Sequence, residues 1–398
     1  MRKIYLLFAA CAVLFLSACS GGGETDTLNV YNWGEYISDG SEGSVDVNKE
    51  FENYYYEKHG RKLKINYMTY ASNEDMYNKL KSGGVSYDLI IPSDYMIEKM
   101  LNEGMLLKLN FDNIPNFQYI DEQYKNAYYD ETSEYTVPYF CGYIGIIYND
   151  SMIDEELTDW DCLWNEKYKG QILQFNNPRD AFGTAMYYKN VDVNTADKEL
   201  WRGSMELLKE QKPLVQSYVM DEVFNKMKNG SAAIAPYYAG DFLTMYEDNE
   251  DLKFFYPESG TNIFVDAMCI PSCAKNKEIA EEYINFCLSE EIAVANAEYV
   301  RYASPNTLVK DNEEYIESMS EIYEDAIETL YSVGGVKSSY YQNLAPETTN
   351  TLNSLWEELK IENTVETWIY VFAGAIVAFI LILLVSNVIR KKINERYY

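Results

Sequence analysis

A chain of 398 residues is longer than one ordinary hydrophobic core organises, and its length suits two lobes of common domain size. Its 33 basic residues face 63 acidic ones, a formal charge of -30 that argues against a nucleic-acid partner and fits either a cationic ligand or plain solubility. The lone histidine, His59, argues against Ser-His-Asp or Cys-His nucleophile systems and against histidine-based metal sites; neither a P-loop nor a dinucleotide-binding glycine motif in its strand-turn-helix setting is present.

In chain order, Arg2 and Lys3 precede an apolar run over 4–16, and Leu16-Ser17-Ala18-Cys19 follows. A short positive region, an apolar stretch and small residues before a cut form a signal peptide, here 1–18. The cysteine after Leu-Ser-Ala resembles a bacterial lipobox, which implies lipidation of Cys19 and a Gly-rich polar tether over 19–27. A strand is expected over 28–31, ending at Asn32-Trp33-Gly34-Glu35-Tyr36, then a helix over 47–59 and a strand over 63–68. Ser72 with Asp75 has the spacing of a capping box opening a helix through Leu80. A buried strand over 88–91 stops at Pro92-Ser93, and Asp94 begins a helix that Gly104 can close. This β-α-β-α-β run predicts a mainly parallel sheet with helices on both faces, and ligands in such sheets sit beyond the carboxyl ends of strands.

A second lobe is expected from about Tyr139, with a helix over 160–170, a strand over 171–175, a helix over 220–228 and a strand over 232–236 leading into Tyr237-Tyr238-Ala239-Gly240-Asp241. A strand over 262–271 carries Asp266 in its middle and is placed to cross between lobes; a helix over 278–288 and the loop Tyr302-Ala303-Ser304-Pro305-Asn306 follow. Cys141, Cys162, Cys269, Cys273 and Cys287 show neither a disulfide framework nor a CxxC metal pair and are expected as free thiols. Residues 368–389 are almost wholly apolar, about 22 residues and enough at ~1.5 Å rise each to cross a bilayer. Trp368 and Tyr370 stand at its entrance, and Arg390, Lys391, Lys392 and Arg396 follow. By the positive-inside rule a span over 367–389 leaves the tail, 390–398, in the cytoplasm and 20–366 outside.

The chemistry left open is that of carboxylates beside aromatic rings. A protonated amine that loses its hydration must be paired, and ring faces add ~0.5–2 kcal/mol each through cation–π contact. Asp241, beside Tyr237 and Tyr238, and Asp266, beside Phe264, are the candidates. Each also has a structural role open to it, Asp241 as the cap of a helix starting at Phe242 and Asp266 in an interior ion pair. Composition and position alone lean towards those roles.

Several motifs, read in order, change that balance. Val30-Tyr31-Asn32-Trp33-Gly34-Glu35-Tyr36, Tyr87-Asp88-Leu89-Ile90-Ile91-Pro92-Ser93-Asp94-Tyr95, Trp160 with Leu163-Trp164 and Tyr168-Lys169-Gly170, and Asp266-Ala267-Met268-Cys269-Ile270-Pro271 follow the order seen in periplasmic spermidine/putrescine-binding proteins. Ala274-Lys275-Asn276-Lys277, Ile284-Asn285-Phe286 and Tyr302-Ala303-Ser304-Pro305-Asn306 continue the resemblance, which covers about 27–360. It implies an α/β, two-lobed, hinge-closing fold of the type II periplasmic-binding-protein kind, with lobe one over 28–138 and 262–315 and lobe two over 139–261 and 316–362. It also implies a monomer without a cofactor, an ABC permease with its ATPase as partner, and a polyamine ligand. Position by position, Trp33 and Tyr36 would flank the polyamine, and Ser93 and Tyr95 would meet an amine or its bridging water. Tyr238 and Phe264 stand where tryptophan is usual. Asp266 matches the central amine-binding aspartate, and Asp241 an acid found in some members, often putrescine binders. Tyr302 and Gln342 match further pocket positions. At Asn177-Pro178-Arg179-Asp180, where spermidine binders show two acids, Asn177 replaces the first and Asp180 keeps the second. Two other readings are ferric-iron binding through Tyr237 and Tyr238 and an extracellular polyamine sensor; the C-terminal span departs from the family pattern.

Overall fold

The computed structural model describes residues 25–361 and, in the apolar C-terminal segment, residues 372, 374–383, 385, 386 and 390. The first half is built of β1 (Asp26–Trp33), α1 (Val47–His59), β2 (Leu63–Tyr70), α2 (Asn73–Lys81), β3 (Leu89–Ile90) and α3 (Asp94–Asn102). β1 runs parallel to β2, from Asp26 opposite Leu63 to Trp33 opposite Tyr70, and parallel to β3 on its other edge. The ends of these elements follow local chemistry. The Asp46 carboxylate accepts from Lys49 N at 2.9 Å to open α1, and Gly60 closes it in the left-handed region at φ 64°. The Ser72 hydroxyl accepts from Asp75 N at 3.1 Å, as the capping spacing predicts.

β4 (Thr136–Asn149) then carries the chain across. Its first part pairs antiparallel with the strand that returns later, β9, and its last part with β7 and β8. The second half comprises β5 (Ile172–Phe175), α4 (Pro178–Tyr188), α5 (Lys198–Gln211), β6 (Val215–Val219), α6 (Glu222–Lys228), β7 (Ile234–Tyr238), α7 (Ala239–Tyr246) and β8 (Leu252–Phe255). β9 (Thr261–Cys269) returns beside β4 and reaches β3 through Ile90 opposite Cys269. Helices α8 (Lys277–Cys287), α9 (Glu290–Val300), α10 (Thr307–Lys310), α11 (Glu313–Ile322) and α12 (Ala326–Tyr331) follow. β10 (Ser338–Tyr340), parallel to β9, and α13 (Pro346–Ile361) complete the chain. The strand order is β2-β1-β3-β9-β4-β7-β5-β6. Two parallel wings are thus joined by one antiparallel pair, β4 and β9, which makes the fold α/β and two-lobed as expected.

Some expectations move. Residues 160–170 form two short 3-10 turns, Trp160–Trp164 and Glu166–Tyr168, rather than one helix. The reason is local: Asp159 and Asn165 each bond the backbone just after them, and the buried Trp160 indole donates to Gly260 O at 2.8 Å, fixing the chain turn by turn. The strand expected over 232–236 runs from Ile234 to Tyr238, and the helix after it starts at Ala239 with Tyr238 as its N-cap. Asp241 therefore lies inside the first turn and caps no helix starting at Phe242. Asp266 has no ion pair among the described residues; its partner is a phenol. The five later cysteines are free, all but Cys273 buried.

Residues 1–24, with the signal peptide and Cys19, lie outside the described residues, as do 362–371, 373, 384, 387–389 and 391–398. Among the described residues no helix is long and apolar enough to cross a membrane. The described part of the expected span is helical, and its Ile376, Phe379, Ile382 and Val385 are each more than half exposed.

Candidate functional site

The ends of strands from both wings meet over β9 and enclose a cleft of about 890 Å3, including its open mouth. One wall is the carboxyl end of β1 (Trp33 to Tyr36), the start of α2 (Asn73, Glu74) and the turn from β3 into α3 (Ser93 to Tyr95). The opposite wall is the turn from β5 into α4 (Asn177, Asp180), the turn from β6 into α6 (Asp221) and the turn from β7 into α7 (Tyr238, Asp241). Phe264 and Asp266 of β9 lie between them, with Tyr302 and Tyr341. These are the strand ends where open α/β sheets place ligands.

Glu35, Glu74, Asp94, Asp180, Asp221, Asp241 and Asp266 line the cleft, and no lysine or arginine does so among the described residues. The acids are held by neutral donors. Tyr36 donates its hydroxyl to Asp266 Oδ2 at 2.7 Å, and Tyr238 donates to Asp180 Oδ2 at 2.7 Å. Asn177 caps α4 by accepting from Asp180 N at 2.8 Å and donates its amide back to Asp180 Oδ2 at 2.7 Å. On the facing wall the Tyr95 hydroxyl donates to Glu74 Oε1 at 3.0 Å, while Asn73 donates to Ser93 Oγ at 3.0 Å. The Tyr302 hydroxyl lies beside Asp241 and favours its charged form. Asp94 is turned inward to the backbone, accepting from Tyr95 N at 2.7 Å and Val265 N at 3.3 Å.

One acceptor in this set is left over. Asp266 is 4% exposed, yet its Oδ1 has no hydrogen-bond partner. The Ser93 hydroxyl, whose strand end bridges to Asp266, favours the charged form without satisfying that oxygen. Burial, reinforced by the charge of Asp180, pushes the Asp266 carboxyl up to about 6, against the downward pull of Ser93 and Tyr36. Burial likewise pushes Asp241 up to about 8, with Asp221 and Glu35 adding to the rise. Asp180 and Glu74 are also raised, chiefly by burial. Asp180 and Glu74 feel the buried Arg179, which only partly offsets the rise, whereas no base lowers Asp266 or Asp241, and a cation is what would supply their counter-charge.

The rings are set to accompany that cation. The Trp33 indole donates to Ile91 O at 2.9 Å and packs on Tyr70 at 4.7 Å between centroids. Tyr36 meets Tyr302 edge-on at 5.1 Å, and Tyr238 meets Phe264 at 5.4 Å. Close approach requires glycine: a Cβ at Gly142 would sit 2.9 Å from Phe264 Cζ, and one at Gly240 would collide with the Tyr302 ring.

Eleven of the twelve residues singled out in the sequence line this cleft. Gln342 does not. It is exposed, its backbone N donates to Asn194 Oδ1 at 2.8 Å, and it borders a second depression beside the cleft, while its neighbour Tyr341 turns inward. Sequence reading missed Glu74, Asp221, Tyr70 and Tyr341. Glu74 sits just past the end of β2, where the strand-end rule points; Asp221 follows β6, a strand whose partial burial on every residue but the last gives no alternation to read. A ferric site gains no support. Tyr237 and Tyr238 are held well above the usual phenol range by burial and nearby acids, Tyr238 spends its hydroxyl on Asp180, and no His/Cys/Asp/Glu group suited to a metal occurs among the described residues.

Residues 86–329 match the family model described as bacterial extracellular solute-binding protein. The spermidine/putrescine-binding periplasmic protein of Salmonella typhimurium is 33% identical over 304 residues, which span 76% of this chain and 84% of that one. Among solved structures, a putative spermidine/putrescine ABC transporter protein from Listeria monocytogenes superposes with a TM-score of 0.75 at 32% identity, covering 85% of this chain and all of that one. The spermidine/putrescine ABC transporter substrate-binding protein from Streptococcus pneumoniae gives 0.65 at 32% identity, over 84% and 99%. With family model, relatives and architecture in agreement, the chain belongs to the bacterial extracellular solute-binding proteins, in the family of the spermidine/putrescine-binding periplasmic proteins.

Proposed function

We propose that this protein captures a polyamine, spermidine or putrescine, outside the cytoplasm and delivers it to an ABC permease driven by a cytoplasmic ATPase. The observation that carries the reading is the cleft's charge: among the described residues it is lined by seven carboxylates and no base, with aromatic rings between them. Each ammonium of a polyamine exchanges water for carboxylate and ring contacts, and each methylene run lies along rings. Trp33, Tyr36, Ser93, Tyr95, Asn177, Asp180, Tyr238, Asp241, Phe264, Asp266 and Tyr302 are the ligand-contacting residues of this proposal. The protein acts by binding and release rather than by catalysis, as a monomer. The lobes, 28–138 with 262–315 and 139–261 with 316–362, close about the paired strands β4 and β9, which among the described residues carry the sheet from one wing to the other.

Lipidation at Cys19 and a span over 367–389 would tether the protein at both ends, so that it meets its permease laterally. The span rests on apolar composition all round the segment and on the exposure of its described side chains.

A thermal-shift panel tests the function. With putrescine, spermidine, spermine, Fe(III) and magnesium at equal concentration, a polyamine should raise the melting midpoint most, by mass action on the folded state. No shift with any di-, tri- or tetra-amine would remove the proposal.

A further inference from the structure

One buried charge takes no part in the binding proposed above. Arg179 is the second residue of α4 and 5% exposed, in a first turn where the helix dipole disfavours a cation. Its hydrogen bonds go to neutral acceptors: Val193 O at 3.1 Å, Asn194 Oδ1 at 3.1 Å and Gln342 O at 3.4 Å. Its Nε is buried without a partner, and no carboxylate pairs with it among the described residues. It borders the adjoining depression rather than the cleft. Burying a guanidinium in this way is unfavourable unless nearby rings and charges offset it.

Both are present. The ring centroids of Tyr341, Tyr95 and Trp201 lie 4.3, 5.6 and 5.9 Å from the guanidinium carbon. Tyr95 belongs to one wall of the cleft and Tyr341 to the segment between β10 and α13, and their rings meet edge-on at 6.3 Å. Each ring leads to an acid. The Tyr95 hydroxyl donates to Glu74 Oε1 at 3.0 Å, and the Tyr341 hydroxyl favours the charged form of Asp180. Those two acids come from opposite walls. Burial raises both carboxyls, Asp180 adds to the rise at Glu74, and the charge of Arg179 pulls both back down. The phenols of Tyr128 and Tyr187 also feel Arg179, and Asp75, Lys99 and Glu357 line the depression that it borders.

Building on the polyamine reading above, we infer that Arg179 is a positioning residue for polyamine capture: without touching the ligand, it is the fixed cation behind the Tyr95 and Tyr341 rings that lets Glu74 and Asp180 face each other as two carboxylates across this end of the cleft. Its charge performs this task, while its hydrogen bonds only hold the guanidinium in place.

Calorimetry with spermidine on the full-length protein in detergent at pH 6, 7 and 8.5 tests the inference. Each variant's Kd is divided by that of the wild type at the same pH, so that the ligand's own titration cancels. Arg179→Met removes the charge, and the paired acids then keep a proton that the ligand must displace. The ratio should be about 10-fold or more at pH 6 and fall to about threefold or less at pH 8.5. Arg179→Lys keeps the charge but not the planar fork, and should stay within about threefold at every pH. Equal losses in both variants, unchanged with pH, would mean a clamp without an electrostatic part; they overturn the inference and leave polyamine capture standing. Where the neutral variant does not fold, Arg179→Lys decides alone: affinity close to wild type supports the inference, and a loss at every pH overturns it. Failure of both variants to fold also overturns it, since Arg179 is then a structural clamp. A wild-type protein that binds no amine overturns the polyamine reading as well.

Discussion

Asp266 concentrates the chemistry of the cleft in one side chain. Its Oδ2 is held by the Tyr36 phenol at 2.7 Å, which fixes where the carboxylate points, and its Oδ1 is buried and unpaired. A buried acceptor without a partner costs roughly 1–3 kcal/mol, so its persistence in a well-packed floor between Phe264 and Met268 marks a place where stability yields to binding. An ammonium at Oδ1 removes that cost and pairs the charge together. Asp266→Asn keeps the shape and the bond to Tyr36 but deletes the charge, and should weaken the preferred polyamine by about 2–5 kcal/mol. Calorimetry reads this directly, and unchanged affinity would refute the role given to Asp266.

At the scale of elements, α4 shows how a helix start becomes half of a binding wall. Asn177 caps it, Pro178 takes its first position, and Asp180 sits in the first turn, where the helix dipole favours negative charge. The same Asn177 side chain accepts from Asp180 N and donates to Asp180 Oδ2, so the cap and the carboxylate are one unit. Asn177→Ala should cost about 1 kcal/mol of stability through the lost cap and also weaken ligand binding, because Asp180 loses one of the donors, Asn177 beside Tyr238, that fix its carboxylate. Denaturant unfolding and calorimetry on one sample separate the two effects; a stability loss with unaltered affinity would reduce Asn177 to a cap. The cap at Ser72 before α2 was legible in the sequence; Gly60 after α1 and Asn177-Pro178 before α4 carry signals of the same kind that the sequence reading did not use. β4 was not legible as a strand. All but two of its 14 residues are buried, so it lacks the alternation of a half-exposed strand, and a register shift at Pro138 and Phe140 breaks it further. Motif order recovered the site's residue types, but Asp221 and Glu74 became visible only once strand ends converged.

For the whole molecule, the decisive feature is that each end of the cleft has acids on both walls: Glu74 opposite Asp180, and Glu35 opposite Asp221 and Asp241. Lobe closure of the kind proposed would bring like charges together without a ligand, so protons or a polycation would have to supply the compensation. The direction of the pH effect follows from the raised carboxyls. Asp266, near 6, and Asp241, near 8, bind protons in the folded protein at pH values where an unfolded chain, with carboxyls near 4, has released them; opening of the cleft, which rehydrates the same groups, would act in the same direction. Their contribution to the closed, folded form is therefore present at low pH and is lost as pH rises from about 4 through 6 and 8. Ligand-free protein should be more compact at pH 5 than at pH 8 in small-angle scattering, and polyamine at pH 8 should restore the compact form. The melting-point rise caused by polyamine should grow over the same interval, since at pH 5 the ligand must displace protons that already neutralise the walls. A ligand-free radius that does not change between pH 5 and 8, together with a ligand effect equal at both, would mean that closure is driven by the rings alone and that the carboxylates serve only to choose the ligand's charge.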